Sequence, residues 1–392
     1  MITRELQRNL PELSKGFPVV TITGPRQSGK TTLVKMTYPD YAYIDLENLV
    51  TRRMASEDPA SLIKDSKGMY ILDEIQYAPE ILSYLKELVD LNQIDAQFVL
   101  TGSNQFSLMR DLTQSLAGRA AVFELLPFSI SEVYDHAQDI NTCMYKGLYP
   151  RLVQKSINPA VFYDSYIRTY LQRDVRLLVN VQNMDAFTRF LSLCAGRTGC
   201  ILNKVSLAND AGVDAKTVSN WLSVLQASYI IYLLPPWHGN VSKRLIKSSK
   251  LYFYDTGLVC RLLQIRNADD LISHPLRGNL FETLIVSEAL KFYYNRGIHP
   301  PLTYFRESNG TEIDLIVEKA GKPYPIEIKS AGIINNSAYS NIQKLSRMGL
   351  NSGKGRVVYA GAQSWDQQFC RNVGWMDFAS ELLTIEREGS SN

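Results

Sequence analysis

The chain has 392 residues, 45% hydrophobic and 21% charged, with 42 Lys and Arg against 39 Asp and Glu for a net charge of +3. That is a folded polypeptide too long for one ordinary core, which points to two or three domains and excludes a fibrous or disordered chain, while the near-neutral balance neither demands nor forbids a nucleic-acid partner. Five scattered cysteines (Cys143, Cys194, Cys200, Cys260 and Cys370) without a C-x-x-C pair argue against a disulfide framework and against a zinc site.

The opening segment, MITRELQRNLPEL, mixes charges into an amphipathic helix and lacks a signal-peptide core. No apolar run approaches the roughly 20 residues needed to cross a bilayer. The expected location is therefore cytoplasmic, with no membrane partner. From residue 18 to 102, short β-rich runs (19–24, 42–46, 69–74 and 97–103) alternate with helix-like stretches such as TTLVKMTY and PEILSYLKELVDL. This alternation predicts an α/β domain with a parallel sheet covered on both faces.

The first run leads into GPRQSGKT, residues 24–31, which fits G-x-x-x-x-G-K-[ST] at every fixed position between a strand and a helix. Glycines allow the backbone to curl so that its N–H groups face phosphate oxygens, and the new helix adds its positive dipole end. Gly24, Pro25, Arg26, Gln27, Ser28, Gly29, Lys30, Thr31 and Thr32 are the expected ATP-binding residues. Lys30 bridges β- and γ-phosphate oxygens in this reading, and the Thr31 hydroxyl takes one Mg2+ position. MYILDE (69–74) supplies the partner: Asp73 for the same Mg2+ and Glu74 to polarise the attacking water. FVLTGSNQF then ends a strand in small polar residues, so that Ser103 or Asn104 can touch the γ-phosphate or the water, and a capped turn without a catalytic part is the alternative. In SLAGR, Arg119 is a candidate finger toward the γ-phosphate of a neighbouring subunit, with a surface salt bridge as the plain reading.

Beyond residue 127 the pattern turns helical. A long amphipathic helix is expected from Asn158–Pro159 onward. Residues 203–234 then read as helix, turn at Gly212, second helix from about Ala215, and a strand over 229–234, with Trp221, Leu222 and Leu225 in the core. Lys204, Lys216 and the run 242–250 form a modest basic strip that can face DNA or simply be solvated. From about residue 276 a second α/β unit follows. Glu282 lies on its helix, Asp314 on a strand, and Glu327 and Lys329, two apart, share one face of the next strand past a hairpin at 319–322. Convergent carboxylates of this kind hold a divalent metal, Mg2+ or Mn2+, and the lysine can activate water against a phosphodiester, although E-x-K on a solvated strand face is common.

The segments GPRQSGKT, YILDEIQ, LTGS, LAGR and LPFSISE resemble prokaryotic AAA-type ATPases of the archaeal and bacterial orphan group, along nearly the whole chain. The resemblance implies a sensor at Ser103/Asn104 and an arginine finger at Arg119. GLYPRLV (147–153) departs from the double-glycine version of the family. The Glu282, Asp314, Glu327 and Lys329 set resembles the PD-(D/E)XK nuclease superfamily, with Ile313 standing before the aspartate. The implied domains are 1–130, AAA-type; 131–200, a helical lid; 201–250, a winged helix; and 251–392, nuclease-like. The expected function is Mg2+-dependent ATP hydrolysis coupled to a nucleic-acid-associated C-terminal domain, in a chain that can form homo-oligomers. The alternative is an ATP-dependent switch whose C-terminal domain is an inert interaction platform.

Overall fold

The computed structural model describes residues 2–103, 112, 114–134, 138–171, 183–237, 248–307, 310–347 and 353–388. They form two compact units: Met1–Phe128 with Ala227–Tyr229 and Tyr293–Ile298, and the remainder.

The first unit is built on five strands, β1 (Val19–Thr23), β2 (Ala42–Asp45), β3 (Tyr70–Asp73), β4 (Phe98–Gly102) and β5 (Ala120–Glu124). They lie in the order β2-β3-β4-β1-β5, every pair parallel. Every residue of the three inner strands is buried, whereas the edge strands β2 and β5 carry exposed or half-exposed positions. That difference is the signature of a parallel sheet sandwiched between helices. Side chains alternate faces along each strand. Val19, Tyr70, Leu72, Phe98 and Leu100 pack with Leu82, Leu85 and Val89 of the helix Ile81–Asn92 on one side. Val20, Ile22, Ile71 and Val99 pack with Leu6 and Leu10 of Glu5–Leu13 and Leu33 and Val34 of Lys30–Thr37 on the other.

In the second unit, Asn158 caps Pro159–Tyr166 by accepting from Ala160 and Val161 N–H, and the chain continues as a π-helical turn over Ile167–Leu171. The rest of the expected helix falls outside the described residues. Lys204–Ala211 ends at Gly212 in a left-handed conformation (φ 74°), and Ala215–Ala227 follows, with Asp214 accepting from Thr217 N–H at its start. Trp221, Leu222 and Leu225 are buried, as expected. A small antiparallel sheet, β6 (Cys200–Ile201), β8 (Lys250–Phe253) and β7 (Ile231–Leu234) in that order, adjoins these helices.

After the helix Arg277–Tyr294 comes a mixed sheet of six strands: β9 (Leu302–Arg306), β10 (Glu312–Lys319), β11 (Lys322–Lys329), β12 (Gly355–Tyr359), β13 (Trp365–Asp366) and β14 (Cys370–Gly374). Their order is β13-β14-β12-β11-β10-β9. The β10–β11 hairpin turns through Ala320 and Gly321, both at positive φ, and Lys319 pairs with Lys322. The helix Ser340–Arg347 lies in the connection from β11 to the parallel strand β12. The sequence reading anticipated the hairpin but not β13, β14 or the closing helix Phe378–Glu388. Among the described residues no helix is long and apolar enough to cross a membrane.

Candidate functional site

The loop after β1 has the form its sequence requires. Gly24 has φ 146°, and a Cβ there would lie 2.2 Å from the Leu125 carbonyl oxygen, so only glycine fits. Gly29, at φ 95°, makes the left-handed turn that launches the helix Lys30–Thr37, and Gln27 is also left-handed. Lys30 is 5% exposed, and its ammonium donates to the Gly24 and Pro25 carbonyls at 3.1 and 3.0 Å, which holds the charge over the loop. Ser28 is fully buried and its Oγ has no hydrogen-bond partner among the described residues. A curled backbone that tolerates no Cβ, a poised lysine and an orphaned hydroxyl fit a phosphate chain.

Asp73, at the end of β3, is the hub of the adjoining corner. Its carboxylate accepts from Thr31 Oγ1 at 2.9 Å, from Tyr43 OH at 2.6 Å and from Thr101 Oγ1. Burial, then the bond to Asp73, pushes the Tyr43 phenol well above its ordinary value and keeps it a donor. The paired Thr31 hydroxyl and Asp73 carboxylate are a hard-oxygen donor set suited to Mg2+. Glu74 adopts φ 57° and donates its N–H to Thr101 Oγ1 at 3.1 Å. Its carboxylate accepts from Gln76 Nε2 and, at 3.3 Å, from Ser103 Oγ. The expected Ser103 position therefore touches the candidate base directly, and Asn104 lies outside the described residues.

Arg119 is placed elsewhere. It precedes β5, and Val19 pairs with Ala120, so it stands at the opposite end of the strands from the phosphate loop. Its guanidinium makes a two-pronged pair with Asp90 and donates to the Ala117 carbonyl. It does not reach the loop of its own chain.

In the second unit the four residues singled out from sequence are drawn into one ionic cluster. Lys329 Nζ lies 2.6 Å from Glu327 and 3.8 Å from Asp314. Asp314 sits where the β9–β10 register shifts between Ile313 and Ile316, and its Oδ2 accepts from Ile328 N–H at 2.8 Å. Glu282 reaches the group through Lys250, the last residue of the 242–250 run expected to form a basic strip facing DNA or solvent; it is buried instead. Lys250 Nζ, on β8, lies 3.0 Å from Glu282, 2.6 Å from Glu312 and 4.0 Å from Asp314. Tyr252 OH donates to the same Glu282 oxygen. Burial, with Asp314 nearby, raises the Glu282 carboxyl to about 7 against the pull of Lys250, and Glu327 rises to about 7 for the same reasons against Lys329. Burial works to lower the Lys250 ammonium, but Glu282, Asp314 and Glu312 outweigh it and hold it above the ordinary lysine value. Metal ligation by Glu282, Asp314 and Glu327 was the expectation; the structure puts Lys250 between Glu282 and Asp314, and Lys329 against Asp314 and Glu327. Among the described residues no group of three or more His, Cys, Asp or Glu is arranged to hold a metal ion.

Family models match three successive stretches: an AAA domain over residues 16–134 and two domains of unknown function, DUF8612 over 137–269 and DUF4143 over 277–374. The uncharacterized protein Rv2008c of Mycobacterium tuberculosis is 31% identical over 349 residues, which cover 88% of this chain and 77% of that protein. The chain belongs to the Rv2008c family. An uncharacterized protein of Haemophilus influenzae is 23% identical over 373 residues, 84% of this chain and 86% of its own. A Walker-type ATPase of Pyrococcus abyssi superposes with a TM-score of 0.41 at 16% identity, covering 67% of this chain and 97% of that one.

The AAA domain carries the five-stranded parallel sheet and its loop, a P-loop nucleotide-binding fold. Several of its working contacts were not read from sequence. Arg4, 5% exposed, donates to the carbonyls of Ser28 at 2.9 Å and Leu126 at 2.7 Å and stacks over Phe128. Nothing in a helical opening segment marks one arginine for that task. Thr101 was legible in principle, as a hydroxyl two places before Ser103 in an otherwise apolar strand.

Proposed function

We propose that this chain binds ATP with Mg2+ and hydrolyses it, and that turnover is coupled to a nucleic-acid-associated second unit of PD-(D/E)XK nuclease-like build. One observation carries the ATPase reading: the Thr31 hydroxyl donates to Asp73 at 2.9 Å beside a buried Lys30. Mg2+ held by Thr31 and Asp73 would neutralise charge on the β- and γ-phosphate oxygens. Lys30 adds its charge to the same oxygens. Glu74, oriented by Gln76 and Ser103, takes the proton of the attacking water. Lys30→Ala should abolish fluorescent-ATP binding, and Glu74→Gln should keep binding while turnover falls about 100-fold or more, within the range general-base loss produces. Normal hydrolysis by Glu74→Gln would remove Glu74 as the base.

The helix pair around Gly212 with the β7–β8 sheet supports a winged-helix reading, and with it DNA as partner. DNA affinity that falls steeply with added salt, and DNA-stimulated hydrolysis, are the expected results. Arg119 belongs in this proposal only as a finger supplied to another subunit of a homo-oligomer, since it points away from its own loop. A cytoplasmic location remains part of the same reading.

A second reading has a specific observation in its favour. Lys250 among Glu282, Glu312 and Asp314 suits an ATP-dependent switch whose C-terminal domain is catalytically inert. Cleavage of DNA with Mg2+ or Mn2+, lost on Lys329→Ala, would dismiss it.

A further inference from the structure

The carboxylates of the second unit look like a metal site from sequence and are satisfied differently in space. Lys250 is 2% exposed, and its ammonium bonds Glu282 Oε1 at 3.0 Å and Glu312 Oε1 at 2.6 Å, with Asp314 Oδ1 at 4.0 Å. A divalent cation binds carboxylate oxygens at roughly 2.0 to 2.6 Å. Its place among these three side chains is the volume the ammonium fills, and two cations cannot share it at that distance in a buried setting.

Most of the remaining oxygens are committed as well, although Glu327 Oε1 is buried without a hydrogen-bond partner among the described residues. Glu312 Oε2 meets Arg306 at 3.2 Å, Asp314 Oδ2 accepts from Ile328 N–H at 2.8 Å, and Glu327 Oε2 accepts from Lys329 at 2.6 Å. Tyr252 OH adds a second donor to Glu282 Oε1. Lys329, the residue that would activate water, is thus tied to a carboxylate on its own strand, β11, which Asp314 of β10 also holds through Ile328 N–H. The tie is also architectural. Lys250 is on β8 of the small sheet, Glu282 on the helix Arg277–Tyr294, and Glu312 and Asp314 on β10 of the large one.

We propose that Lys250 is a built-in cation standing in the place of a divalent metal, so that the carboxylate cluster closes as an internal salt-bridge lock and the second unit does not cleave phosphodiesters with metal. The lock joins β8, the helix and β10 into one body, a use for which buried charge networks are suited because breaking one partner strands the others. This goes beyond the ATPase reading and does not depend on it.

The test is Mn2+ binding to the full chain, followed by electron paramagnetic resonance without nucleotide. An Asp73→Asn background removes the P-loop contribution. The expected result is no bound Mn2+ that depends on Glu282 or Asp314. Adding Lys250→Met, which keeps the aliphatic stem and removes the charge, should create one Mn2+ site per chain that Glu282→Gln then abolishes. Mn2+ bound by the parent and lost on Glu282→Gln overturns the proposal, as does a folded Lys250→Met chain that gains no site. Should Lys250→Met fail to fold, the parent and Glu282→Gln arms decide the matter by themselves. Because the assay contains no ATP, a failure of hydrolysis leaves its outcome untouched.

Discussion

The guanidinium of Arg4 reaches 24 residues along the sequence to the carbonyl oxygen of Ser28, 2.9 Å away inside the phosphate loop. A buried cation on this loop acceptor restrains the backbone and with it how the neighbouring N–H groups are aimed. Arg4→Met should therefore cost about 1.5–3 kcal/mol of stability, the span for charge-assisted bonds. It should also weaken ATP binding several-fold without touching a ligand atom. Urea unfolding and a fluorescent-nucleotide titration read the two effects; unchanged ATP affinity would mean the loop holds its shape unaided.

Gly24→Ala tests the loop from the other side. The new Cβ would meet the Leu125 carbonyl oxygen at 2.2 Å, which a backbone atom cannot yield. The variant is expected to lose more than about 3 kcal/mol or fold without binding ATP, as severe overpacking and strain do. Gly118→Ala, at φ 75° with nothing within 4 Å of the added carbon, is the control, with a cost of only about 1 kcal/mol.

Gln76 contacts Glu74 and Ser103 Oγ, so it orients the candidate base from within the same turn. Gln76→Ala should lower kcat about tenfold and leave KM for ATP within twofold, the pattern of a lost positioning contact rather than a lost binding one. A rise in KM with unchanged kcat would place Gln76 in nucleotide binding instead.

Glu282 and Glu327 both rise from an ordinary 4.5 to about 7, chiefly through burial and then through Asp314. In the folded chain each keeps its proton at a pH where the unfolded chain has released it. Their contribution to stability is therefore complete below about 4.5 and is lost as pH climbs toward about 7. Glu327→Gln removes one of the two contributing groups, so its urea midpoint should vary less with pH across that window than the parent's. Equal slopes for parent and variant would refute the assignment.

How much was legible in the sequence depended on whether a residue acts within its own segment. The P-loop is local chemistry, eight consecutive residues whose backbone form is set by glycines and a following helix, and that strand-loop-helix form was legible. The triad around Asp73 was read only as far as Thr31, because Tyr43 and Thr101 come from separate strands and meet Asp73 only once β2, β3 and β4 are in order. The C-terminal set shows the opposite failure. Glu282, Asp314, Glu327 and Lys329 were each picked out correctly as neighbours, yet the residue that decides their chemistry, Lys250, lies 32 positions before Glu282 on another sheet. Arg119 carried two readings, a finger toward another subunit and a plain surface salt bridge; within its own chain it pairs with Asp90 near the end of the helix Ile81–Asn92, a partner that its place in SLAGR does not specify.

Strand β4 separates β1, which feeds the phosphate loop, from β3, which ends in Asp73. With neighbouring strands roughly 4.8 Å apart, the two halves of the nucleotide corner stand roughly 9.6 Å from each other across it. Thr101 and Ser103, two places apart at its carboxyl end, contact Asp73 and Glu74 respectively. The strand is in effect a spacer bar with both fittings on one edge. Adding or deleting a single residue within it would turn both hydroxyls to the opposite face at once. This short span therefore tolerates exchange of side chains far better than any change in its count.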